Sequence, residues 1–141
     1  MYGEYFLDGE IRSEYLPEYI SLWPTWLGKD RLHELDAVAE ADWKKFNNFI
    51  RLLAKSLDVW FVDRESETMG RVEDIENTLS TYEASMSKTA TNFSRYVLPS
   101  LSCVIAEEWD YTYILWHKGG RAVEQLQPII AECGLYSFAD R

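Results

Sequence analysis

The sequence predicts an α+β fold: an antiparallel sheet that includes a hairpin near 102–117, packed against two or three helices at about 30–57, 67–98 and 121–132. Three observations predict it. Runs of β-branched and aromatic residues flank short turn signals, as strands joined by hairpins do. Other stretches repeat their apolar residues at the helical period. Strands and helices follow one another without regular β-α-β alternation, which favours an antiparallel sheet over a parallel one. A chain of 141 residues supports one core, so residues 1–141 read as a single domain.

The first sixteen residues carry Asp8-Gly9 between Tyr2, Glu4 and Phe6 on one side and Ile11, Ser13 and Tyr15 on the other. That dipeptide is the signature of a two-residue hairpin turn; a rival reading ends a strand at Leu7 and starts a helix at Ser13. From Tyr15 to Gly28 the chain holds Pro17, Pro24, Trp23 and Trp26. A proline inside a helix removes a hydrogen bond and clashes with the preceding turn, so any helix here is short and Gly28 is a natural stop.

Asp30–Leu57 reads as helical, in one piece or in two divided near Asp42, whose carboxylate suits a helix start. Trp43, Phe46, Phe49, Ile50, Leu53, Ala54 and Leu57 share one face, with Lys44, Asn48, Arg51 and Lys55 on another. The basic face reads as a solvated helix surface. Asp58–Asp63, DVWFVD, reads as a short strand between charges. Beyond it Asp63, Glu65, Glu67, Glu73, Asp74 and Glu76 face only Arg64 and Arg71. The apolar positions Val72, Ile75, Leu79, Tyr82, Met86, Ala90, Phe93 and Val97 fit one helical stripe, which predicts a long helix from Glu67 to Leu98, closed by Pro99. Ser, Thr and Asn between 85 and 94 are poor helix formers and allow an earlier end near Ser87. The stripe reads as core, or as a seam for self-association.

The run Ser102–His117 is apolar at both ends and acidic in the middle. Cys103, Val104 and Ile105 form one strand, Tyr111–Trp116 the other, and Glu107, Glu108, Trp109 and Asp110 make the connection, with no neighbouring Lys or Arg in sequence. Gly119-Gly120 supplies a turn. Arg121–Glu132 follows as an amphipathic helix with Val123, Leu126, Ile129 and Ile130 inward and Pro128 as a kink point. Gly134 caps it, and Leu135–Phe138 forms a closing strand or docked tail.

Net charge is −10, from 24 acidic against 14 basic residues, so the average surface field repels nucleic acid and anionic membranes and favours a basic partner. The 6 Trp, 9 Tyr and 6 Phe supply enough apolar surface to exclude a disordered chain. No run of about 18 apolar residues and no basic leader is visible, so a cytoplasmic protein is expected. Cys103 and Cys133 lack the density of a disulfide scaffold and read as reduced thiols. His33 and His117 have no metal-ligand spacing, and no glycine-rich phosphate loop occurs, so no metal or cofactor is expected.

Protein recognition is the function these features favour, because Trp and Tyr anchor interfaces and carboxylates around them steer a basic partner. The contact residues expected are Glu107, Glu108, Trp109, Asp110, Tyr111 and Tyr113, with Asp63, Glu65 and Glu67 as a second acidic group; no catalytic residue is expected. Small acidic domains of this kind look like bacterial immunity proteins and other inhibitors that cover a basic nuclease. The resemblance is one of class, with no shared motif, and it implies a non-enzymatic antagonist. Two alternatives are a nucleic-acid mimic, which requires carboxylates spaced along one face, and a small hydrolase that pairs His117 with a cross-strand carboxylate and uses Cys103 or Cys133 as nucleophile.

Overall fold

The computed structural model describes residues 1–79 and 93–139. Nine strands lie among them: β1 Phe6–Leu7, β2 Glu10–Ile11, β3 Leu16–Ser21, β4 Trp60–Asp63, β5 Thr68–Arg71, β6 Arg95–Leu98, β7 Cys103–Glu108, β8 Thr112–His117 and β9 Tyr136–Phe138. Two α-helices accompany them among the described residues, α1 Glu40–Ser56 and α2 Arg121–Glu132. β1 and β2 form a separate hairpin; the other strands make one antiparallel sheet in the order β5-β4-β6-β7-β8-β3-β9. The α+β architecture and the hairpin near 102–117 are as the sequence predicts.

Period-2 alternation sends each strand's side chains to two faces, and here both are covered. On one face α1 and α2 bring Phe49, Ile50, Leu53, Leu126 and Ile130 onto Leu98, Ile105 and Leu115. On the other, the N-terminal hairpin lays Tyr5, Phe6 and Tyr15 over Val62, Val97 and Val104. Hence all four residues of β6 are buried, with no polar-out alternation to mark it as a strand. Asp8 and Gly9, at φ 53° and 80°, supply the two left-handed positions that a tight hairpin turn needs. Arg95, which projects to the hairpin side, fastens it there: one guanidinium nitrogen donates to the Gly9 carbonyl at 2.8 Å, and the group lies 5.5 Å from the Phe6 ring centroid.

The long helix expected from Glu67 to Leu98 is not formed at either end. Thr68–Arg71 pairs with β4, Ile75–Thr78 is a single 3-10 turn capped by Asp74, and Arg95–Leu98 lies between β4 and β7; residues 80–92 of that expectation lie outside the described residues. Val72, Ile75 and Leu79 do pack on the helix-side core, but from extended and 3-10 backbone. Within Tyr15–Gly28, where the sequence allows at most a short helix, Leu16–Ser21 forms β3 instead. Pro17 is tolerated because β9 pairs only with Tyr19–Ser21, leaving β3 one free side at residue 17.

Asp30–Leu57 is divided, with 3-10 backbone over Lys29–Ala37 and α1 from Glu40. Asp42 marks the start by accepting from the Ala39 N–H at 3.0 Å. The basic face of α1 is largely paired: Lys44 with Glu40, and Arg51 with both Glu76 oxygens and the Asn48 side chain. α2 ends in a Schellman motif, since the Leu135 N–H donates to Ile130 and the Gly134 N–H to Ala131, with Gly134 at φ 77°.

Cys103 is fully buried, and burial alone pushes its thiol up to about 12, while Cys133 is half-buried. In a disulfide-exchange assay on native protein at neutral pH, Cys103 is expected to react only after denaturant is added. Rapid modification of Cys103 without denaturant would contradict the packing under α1 and α2.

Candidate functional site

The antiparallel registers gather several turns at one end of the sheet. Asp63 ends β4, Ser94 precedes β6, and Glu108 ends β7 opposite Thr112, which in turn lies opposite Ser21 at the end of β3. The β4–β5 turn, the β7–β8 turn and the chain leaving β3 therefore share that end. Asp63, Glu65, Glu67, Glu108 and Asp110 lie along the same end of the sheet, though far apart in sequence, with Arg64 and Arg95 as cations near Glu108. The Asp8-Gly9 turn adjoins them, since a Cβ on Gly9 would stand 3.5 Å from the Glu67 carboxylate.

The two acidic groups expected from sequence thus come to one edge, about 14 Å apart across three strand spacings. Asp63 also has local work: its carboxylate accepts from the Glu65 and Ser66 N–H groups at 3.1 and 3.2 Å, which holds the β4–β5 turn. Glu65 and Glu67 are exposed.

The other six expected contact residues divide evenly. Glu108, Trp109 and Asp110 stand at the tip, with Trp109 49% exposed and in edge contact with Phe93 at 5.0 Å. Glu107, Tyr111 and Tyr113 are corrections, because all three are buried. Glu107 points to the helix side, where it accepts from the Ser94 N–H at 2.9 Å. Tyr113 stacks on Phe46 at 4.8 Å. Tyr111 adopts φ 54°, a left-handed conformation unusual for an aromatic residue, and its buried ring anchors the tip that presents Trp109 and Asp110.

Beside the tip lies a pocket of about 340 Å³ that sequence reading did not foresee. Its floor is the hairpin-side face of β3 and β8: Tyr19, Ser21, Thr112 and Ile114. Trp23, Thr25, Trp26, Leu27, Leu32 and Leu35 from the chain after β3 make one wall, and Glu108, Trp109 and Asp110 make the other. Trp26 is held in edge contacts with Tyr19 and Phe138 at 4.6 and 5.0 Å. The signal for this site was weak but present. Trp23 and Trp26 stand in a proline-containing stretch with no periodicity, so no core pattern claims them.

Glu108 is half-buried, and that burial raises its carboxyl above the usual range, reinforced by Glu107 and opposed by Arg95 and Arg64. A carboxyl with a raised folded-state pKa binds more protons folded than unfolded, so stability falls as pH rises through the window above the ordinary Glu value. Glu108→Gln is expected to raise the melting temperature at pH 7 and flatten its decline as pH rises above the ordinary Glu range. An unchanged pH profile would show that the carboxylate is fully solvated.

His117 lies elsewhere. The β7–β8 register places it five residues along β8 from Thr112, about 17 Å from the acidic tip, so the expected cross-strand partnership with Glu107, Glu108 or Asp110 is not formed. Among the described residues no three His, Cys, Asp or Glu side chains gather closely enough to hold a metal ion, and no helix is long and apolar enough to cross a membrane. No family model, curated protein or solved structure matches the chain.

Proposed function

We propose that this protein is a non-enzymatic antagonist of immunity type, whose acidic sheet end binds a basic protein such as a nuclease toxin and covers its working surface. One observation carries the reading: carboxylates from separate turns converge at one end of the sheet beside an aromatic pocket and an exposed tryptophan. Clustered charge steers an oppositely charged partner into encounter, and a large aromatic anchor then supplies the short-range energy. A nucleic-acid mimic needs its carboxylates spread along a face. Their gathering at one end favours a compact contact instead.

The test is affinity capture from native lysate with the wild type and a Glu108→Lys/Asp110→Lys variant in parallel, at low and high salt. A stoichiometric basic protein held by the wild type and lost by the variant, followed by inhibition of that protein's activity with purified components, is the expected result. Retention of the same proteins by both would remove the sheet end as the contact.

A further inference from the structure

We propose that the pocket between the β3 exit and the β7–β8 tip takes one arginine side chain of the basic partner, its guanidinium resting against Trp26 and paired with Glu108. The inference rests on the antagonist reading and names the group that reading would recognise.

At about 340 Å³ the pocket is at the lower end of the range for ligand sites, about 300–1,000 Å³, which suits one long side chain or a comparably small group. Its lining selects the charge. Tyr19, Trp23, Trp26 and Trp109 present aromatic surface, Glu108 and Asp110 are its charged groups, and no Lys, Arg or His lines it among the described residues. Aromatic walls with carboxylates form a cation site, because the ring quadrupole and the carboxylate charge attract the same ligand.

Arginine fits better than lysine on three grounds. A guanidinium is weakly hydrated and loses less on entering an apolar pocket; it is planar and stacks on indole; and its fork can engage both carboxylate oxygens. Trp26 is already fixed by Tyr19 and Phe138, so little side-chain entropy remains to be lost on binding. Glu108 is half-buried and therefore poorly hydrated when ionised, so an incoming cation, in addition to the nearby Arg95 and Arg64, stabilises its charge.

The experiment titrates N-acetyl-arginine methylamide into the isotope-labelled chain while the indole N–H resonances are followed. The lysine analogue and the neutral citrulline isostere serve as controls. Saturable shifts at Trp26 and Trp109 are expected with the arginine probe, with at least tenfold weaker binding of both controls. Glu108→Gln and Trp26→Ala are each expected to weaken the arginine probe at least tenfold while the remaining resonances keep their dispersion. No saturation by about 10 mM, equal affinity for lysine or citrulline, or binding that survives both substitutions would overturn the proposal. The two readings fail separately. A probe that binds while no basic protein is captured leaves the pocket and removes the antagonist; the reverse pair of results removes the pocket.

Discussion

Exchange of both Glu108 and Asp110 for lysine is expected to slow association with a basic partner by about ten- to hundredfold at low salt and to leave the helix-side core intact. Each exchange adds two units of charge, so the formal net charge moves from −10 to −6, yet the whole change falls at one tip of the sheet. Steering depends on local potential, so the loss should exceed what four added charges elsewhere would cause. The difference should shrink as salt shortens the Debye length from about 10 Å at 0.1 M to about 3 Å at 1 M. Stopped-flow association at several ionic strengths reads this directly. Glu108→Lys sets a new cation near Arg95 and Arg64, so a Glu108→Gln/Asp110→Asn companion is needed. It removes the negative charge without adding positive charge, and it should give an intermediate rate. An association rate that neither pair changes at low salt would remove the tip from the encounter.

Phe49→Ala carries the largest expected cost in stability, about 3–5 kcal/mol. Phe49 is 0% exposed, on the face of α1 that packs against the sheet. Truncation loses the transfer free energy of the ring and leaves a cavity between layers that relax only partly. Against a typical total of about 5–15 kcal/mol, the variant should be near its folding threshold. Phe49→Leu, which retains most of the volume, should cost clearly less. Urea unfolding monitored by both far-ultraviolet dichroism and tryptophan fluorescence measures the difference. A loss of under about 1 kcal/mol for the alanine variant would show that α1 does not seal the core.

The elements legible in sequence are those with local signals. Asp8-Gly9 marks its hairpin, the acidic turn marks β7–β8, and amphipathic faces mark α1 and α2. Gly134 marks the helix end because only a left-handed residue closes that motif well. β6 was illegible for a physical reason: with both faces covered, Arg95–Leu98 has no polar alternation, and Phe93 and Val97 fall at helical spacing. β3 was hidden by Pro17, whose tolerance depends on how far β9 extends, a fact of tertiary pairing.

The candidate site shows the same division. The exposure of Trp109 and Asp110 was legible because they lie in the turn after Glu108, whereas the burial of Glu107 was not, because strand alternation and the covering layer turn it inward. The pocket was missed because Tyr19 and Trp26 reach Glu108 only through β3–β8 pairing, across most of the chain.

That pairing also sets the order in which the molecule can be built. β3 lies between β8 and β9, so residues 16–21 have no strand neighbours until residues 112–117 and 136–138 have been synthesised. At about 5–20 residues per second, the ribosome takes roughly 5–18 s to travel from Ser21 to Thr112. Throughout that interval the nascent chain carries Tyr19 and Ile20 with unpaired backbone on both sides, an open template for wrong pairing. The sheet closes only once residues 136–138 have been made, from contacts of high sequence separation, which slow folding.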